Sequence, residues 1–182
     1  VYAKSAAIAI ASMLIVLATM LVSLGGLPHR QNYTGTFVDN LGWVAPEVGA
    51  IAPPFSLQRL DGSLFALRDY AGQMVIINFW ATWCEPCRVE MPELQRLHEQ
   101  SNEVDITIVG INLGESITQI QSWVDSLDLT FDIVSDLNRD VERLYQVRGQ
   151  PATYVIGRDG RISAIRYGAT TAEDLAQLIG LH

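Results

Sequence analysis

Met74-Val75-Ile76-Ile77-Asn78-Phe79-Trp80, followed by Ala81-Thr82-Trp83-Cys84-Glu85-Pro86-Cys87, is the stretch on which the fold turns. Its first half is a nearly continuous apolar run bounded by Gly72 and by the cysteine motif. That is the pattern of a central strand buried on both faces. Its second half holds the only two cysteines of the chain, at the strand end and the start of a helix. Spacing at i and i+3 puts both sulfurs on one side of the first turn, close enough to bridge. A helix N-terminus offers unpaired N–H groups and a positive dipole end, which stabilise a thiolate. Pro86 sits in the first turn, where a missing N–H costs little. Cys84 is therefore the nucleophile and Cys87, one turn deeper, the resolving cysteine.

Other uses of the pair fit less well. A structural disulfide closing so short a loop constrains the unfolded chain little. A zinc site wants four ligands, and only His29, His98 and His182 could supplement the pair, none at ligand spacing. Two ordinary core cysteines would not call for the flanking Trp83 and Pro86. The motif reads as redox chemistry.

Working outward, Phe55 to Leu57 and Leu64 to Ala66 flank Asp61-Gly62, a hairpin signal. From Arg88 to Gln100, Leu94 and Leu97 recur at helical spacing, with Pro92 expected to bend the helix. Val104 to Leu113 reads as a second buried strand. Ser116 to Leu127 carries a helical apolar stripe, and Phe131 to Val134 a short strand. A short helix from Asp136 to Tyr145 is expected to turn Val141 and Leu144 inward. Pro151 opens a strand from Ala152 to Ile156, which turns at Asp159-Gly160 into another from Ile162 to Tyr167. Thr171 caps a last helix ending near Gly180, with Glu173 and Asp174 in its first turn. Strands and helices that alternate, then close in a hairpin and helix, make an α/β sandwich with a central mixed sheet.

The front of the chain differs in kind. Ser5 to Leu24 carries no charge and is dominated by Ala, Ile, Leu, Met and Val. About nineteen helical residues at ~1.5 Å each span roughly 28 Å, close to the ~30 Å core of a bilayer. The run exceeds the ~7–15 residues of a signal-peptide core, so a retained transmembrane helix is expected over a cleaved signal. Residues 28–48 are polar, broken by glycines and Pro46, and read as a linker. The expected organisation is an anchor over 1–27, that linker, and one domain over 49–182. Either reading of the front segment sends the domain out of the cytoplasm, where a thiol pair forms a disulfide unless something reduces it. Among the 182 residues the net charge is −8, which excludes nucleic acid as a partner.

The run Asn78 to Cys87 with Glu90 resembles the TlpA/ResA/CcmG branch of the thioredoxin superfamily. Asn112-Leu113-Gly114-Glu115-Ser116 and Gly149-Gln150-Pro151-Ala152-Thr153-Tyr154 match it further, and Gly114 to Ser135 looks like that branch's helix–strand insertion. The resemblance implies a thioredoxin-like sandwich with an N-terminal β-hairpin and that insertion, here preceded by one transmembrane helix. It implies a membrane-anchored protein disulfide reductase with its catalytic domain on the extracytoplasmic side. The implied clients are disulfide-bonded proteins such as apocytochrome c, in cytochrome c maturation or a similar assembly pathway. Electrons would come from a membrane thiol donor of the CcdA or DsbD type. No cofactor or metal is implied beyond the redox-active disulfide Cys84–Cys87.

Residue by residue, Pro151 matches the family's cis-proline opposite the cysteines, and Gln150 beside it is expected to touch substrate with Trp83. Asn78 stands where plain thioredoxins carry a buried acid. Glu90 matches the branch's active-site glutamate; a partly buried carboxyl there would have a raised pKa and pass a proton. Glu85 and Pro86, between the cysteines, are expected to tune the redox balance, the charge of Glu85 opposing thiolate formation and favouring a reductant. Two other functions found on the fold match less well. A thiol peroxidase of the peroxiredoxin type resembles Pro-x-x-x-Thr-x-x-Cys, but Ile77 and Ala81 fill those places. A copper chaperone resembles Cys-x-x-x-Cys with a distant histidine, and the spacing here is one residue short.

Overall fold

In a computed structural model the described residues are 13, 35–38, 42–101 and 105–181. The chain divides into Val1–Thr34 and Gly35–His182. The apolar segment expected to span a membrane lies in the first unit and, Met13 apart, outside the described residues. No helix among the described residues is long and apolar enough to cross a membrane.

The second unit holds nine strands and four α-helices among its described residues: β1 (Thr36–Val38), β2 (Gly42–Val44), β3 (Ser56–Arg59), β4 (Leu64–Ala66), β5 (Met74–Trp80), α1 (Glu85–Gln100), β6 (Ile106–Leu113), α2 (Ile117–Ser126), β7 (Asp132–Asp136), α3 (Asp140–Leu144), β8 (Ala152–Ile156), β9 (Ile162–Tyr167) and α4 (Ala172–Ile179). Seven strands form one mixed sheet in the order β4-β3-β7-β6-β5-β8-β9. The three-strand heart, β5 beside β6 beside β7, is parallel, while β8 runs antiparallel to β5 and β3 to β7.

The apolar run over Met74–Trp80 becomes β5, hydrogen-bonded on both edges. Successive side chains alternate faces. Val75, Ile77 and Phe79 join a core with Phe55, Phe65, Tyr145 and Tyr154. Ile76 and Trp80 join a second core with Cys87, Met91, Leu94 and Leu97 of α1. Both faces are covered, so both parities had to be apolar, and Asn78 is the one polar residue in the strand.

Helix signals were realised as capped termini. Ser116 and Gln119 make a reciprocal capping box at α2, and Thr171 and Asp174 make another at α4, which ends on Gly180 in the left-handed conformation. The short helix α3 differs in its inner face: Val141 is buried, but Leu144 is 41% exposed and Tyr145 is fully buried. Tyr145 takes the inward place because its hydroxyl donates to Pro53 O at 2.8 Å, so a phenol fills a site at the base of the first core that leucine would leave polar. Part of the segment expected as linker is ordered too. Thr36–Val38 and Gly42–Val44 pair antiparallel, and Val44 and Ala45 are buried. Strands of three residues leave no usable period in the sequence.

Candidate active site

The parallel strands β5, β6 and β7 end together, with Trp80 paired to Asn112 and Leu113 to Asp136. Beyond β5 the chain turns over Ala81–Cys84, closed by Cys84 N–H donating to Ala81 O at 3.2 Å, and enters α1. Cys84 is the N-cap of that helix, its Sγ accepting from Cys87 N–H at 3.3 Å. A sulfur occupies the place that a capping oxygen normally takes, so backbone N–H and helix dipole both favour its anion. Cys84 and Cys87 are joined in a disulfide. Cys84 keeps 5% of its surface exposed and Cys87 none, the asymmetry expected of an attacking and a resolving cysteine.

One turn further along α1, Glu90 is fully buried. Its carboxylate is held by donors from three other segments: Asn78 Nδ2 at 2.8 Å, Thr170 Oγ1 at 2.7 Å and Thr170 N–H at 3.1 Å, with Thr153 Oγ1 at 3.5 Å. Burial pushes the Glu90 carboxyl above its ordinary range, and the bonds from Thr170 and Asn78 pull part of the way back. Asn78, which also donates to Thr153 Oγ1 at 3.0 Å, carries no proton of its own to give, but it touches the residue that can.

The remaining expected residues sit as follows. The Gln150–Pro151 peptide bond is cis, with Pro151 buried and Gln150 half-buried at the start of β8, the edge of β5 opposite β6. Trp83 is 63% exposed and Trp80 is buried. Glu85 projects into solvent, 4.0 Å from Arg88, and Pro86 is exposed. Residues given no role from sequence also converge here. Thr153 and Thr170 complete the Glu90 cage from positions 63 and 80 residues away, separations that no local pattern reveals. Glu115 binds Thr82 in the turn before Cys84. Its only sequence signal was the run Asn112 to Ser116 at a strand end.

The chain matches the model of the AhpC/TSA family over residues 48–165. It is 34% identical over 163 residues to thiol-disulfide oxidoreductase ResA of Geobacillus thermodenitrificans, covering 90% of each chain. Among solved structures, StoA from Bacillus subtilis superposes with a TM-score of 0.63 at 25% identity, covering 70% of this chain and 96% of that one. A DsbF homologue from Corynebacterium diphtheriae gives 0.66 at 28% identity, covering 85% and 95%.

Proposed function

This chain belongs to the AhpC/TSA family and is a thiol–disulfide oxidoreductase of the ResA and StoA type; from there we propose that it works as a reductant of disulfides in client proteins. The observation that carries this direction is the placement of the two carboxylates. Glu85 is solvent-facing between the cysteines, where its charge disfavours the thiolate and so the reduced form. Glu90 is buried one helical turn beyond Cys87 on the same helix, with its pKa raised, and in this reading it takes the proton of the resolving thiol.

In the forward reaction the Cys84 thiolate attacks one sulfur of a client disulfide. A Cys84–client bond forms, the client S–S bond breaks, and the first client sulfur leaves as a thiolate that takes a proton from water. Cys87 then loses its proton to Glu90 and attacks Cys84 Sγ. The Cys84–Cys87 bond forms and the second client sulfur leaves, taking up a proton. Two electrons and two protons pass to the client, and the enzyme is left oxidised, the form seen here. Pro151 and Gln150 lie at the edge that would pair with client backbone, and exposed Trp83 would give it an apolar surface.

The finer reading rests on the family resemblance and on the apolar run from Ser5 to Leu24. It places the domain outside the cytoplasm on a transmembrane anchor, with apocytochrome c or a similar assembly client. The dithiol would be regenerated by a membrane thiol donor of the CcdA or DsbD type. A Cys87→Ala variant expressed with its N-terminal segment should accumulate mixed disulfides through Cys84, and sequencing the trapped chains names the client. Absence of any trapped client, or a potential near the ~−120 mV of a strong oxidant, would overturn the reductant reading. Peroxidase action finds no support at this site: the places that would carry its proline and threonine hold Ile77 and Ala81, both fully buried.

A further inference from the structure

We propose that Glu115 is a positioning residue of the disulfide site, acting through Thr82 to hold the turn that delivers Cys84 to Cys87. The proposal rests on the reading of Cys84 and Cys87 as the working pair.

Glu115 is only 7% exposed and has no cationic partner among the described residues. Three donors hold it instead: Thr82 N–H at 2.7 Å, Thr82 Oγ1 at 2.5 Å and Asn112 Nδ2 at 2.7 Å. Burying a carboxylate is costly unless such bonds are made. Asn112 spends its amide on this contact while its Oδ1 finds no partner among the described residues, a further cost that an apolar side chain would avoid.

The backbone on which Glu115 stands is fixed from both sides. Gly114, in the left-handed conformation, donates its N–H to Asp136 O at 3.1 Å. Glu115 O accepts from Ser135 Oγ at 3.2 Å. The next residue, Ser116, is locked in the capping box of α2. The carboxylate therefore projects from a rigid post, built by the ends of β6 and β7, onto a turn that has only one other internal bond, Cys84 N–H to Ala81 O.

Thr82 is the second residue of that turn, and its N–H and hydroxyl are both given to Glu115. Releasing them frees the segment between β5 and Cys84. The disulfide needs Cys84 and Cys87 Cα atoms 5.3 Å apart, so a freer Cys84 meets Cys87 less often. The effective concentration of one thiol at the other falls, and the dithiol gains relative to the disulfide. A purely structural bond would weaken both redox forms equally and leave their ratio unchanged.

The test is the equilibrium of the purified full chain with reduced and oxidised glutathione, measured at one pH for every variant. Glu115→Ala should shift the constant toward dithiol by about tenfold, roughly 30 mV. Glu115→Gln keeps an acceptor for Thr82 N–H and Asn112 and lets the hydroxyl accept instead, and should stay within about twofold of wild type. Thr82→Val removes one bond with no change of charge and should shift it about threefold. Glu115→Ala folded yet equal to wild type would overturn the clamp, as would Glu115→Gln shifted as far as Glu115→Ala. If Glu115→Ala does not fold, an unshifted Thr82→Val overturns it alone. If wild type equilibrates and the variants match it, only the clamp falls; a wild-type pair that never equilibrates with glutathione overturns both the clamp and the functional reading.

Discussion

Asn78 Nδ2 donates to Glu90 Oε2 at 2.8 Å, both residues fully buried, across the space between the central strand and the helix that carries the cysteines. The acid of this site therefore comes from the helix, with the strand supplying only an amide to steer it. Glu90→Gln keeps the shape of the cage and removes the proton acceptor. It should slow release of a mixed disulfide by Cys87 about a hundredfold at neutral pH, the low end of general acid–base effects. Rapid-quench kinetics on a preformed Cys84 mixed disulfide would measure it. An unchanged rate would remove Glu90 from the proton path.

Placing an acid at the strand position sets two carboxyls at hydrogen-bond distance. Asn78→Asp should then make the pair share one proton, because like charges in a buried site cannot both form freely. The pH profile of exchange should show two separated midpoints in place of one. A profile that superposes on wild type would show that the introduced carboxyl and Glu90 do not couple.

Stability should carry the same signature. Burial lifts the folded Glu90 carboxyl above the ~4.3 at which it ionises in the unfolded chain. Between those two values the folded protein binds more protons than the unfolded one, so stability falls as pH rises through the window. It is full below the unfolded value and lost once pH passes the folded one. Urea midpoints measured from pH 4 to 8 should fall less steeply in Glu90→Gln than in wild type. Parallel curves would contradict the assignment.

Trp83 should matter to clients and little to folding. It is 63% exposed, so Trp83→Ala should leave unfolding free energy within about 0.5 kcal/mol of wild type. Its rate with a protein disulfide should drop several-fold, while the rate with oxidised glutathione, which is too small to need the apolar surface, should not. Equal loss with both would assign Trp83 to the cysteine geometry instead.

Gly110 on β6 faces packed side chains. A Cβ there would lie 2.8 Å from Ile133 Cδ1 and 3.0 Å from Trp80 Nε1. Gly110→Ala should cost about 1–3 kcal/mol by overpacking, read as a lower urea midpoint. An unchanged midpoint would mean that Ile133 and Trp80 can yield at no cost.

Much of this site was legible along the chain because its decisive features are local. A strand buried on both faces must be apolar at every position but one, and Met74–Trp80 says so. Helix ends announce themselves by residues within one turn, as Ser116, Thr171 and Gly180 do. The i, i+3 cysteines at a helix start need no tertiary information to be read as a redox pair. Tyr145 was harder: helical spacing nominated Leu144, and only the distant Pro53 carbonyl explains why the phenol turns inward. The hairpin of Thr36–Val38 and Gly42–Val44 was hidden because three-residue strands are shorter than the window in which periodicity shows.

By itself, then, the sequence determined the layers of the sandwich and the pair of cysteines that bond at the helix start, since each follows from side-chain period and nearest neighbours. The tertiary structure decided which groups surround that pair. Glu90 is caged by Asn78, Thr153 and Thr170, and Thr82 is held by Glu115, because the strand ends and the Thr170 loop meet at one end of the sheet. A buried carboxylate takes whatever donors the fold brings within about 3 Å. Those donors lie 12 to 80 residues from Glu90 and 33 from Glu115, separations that only packing closes.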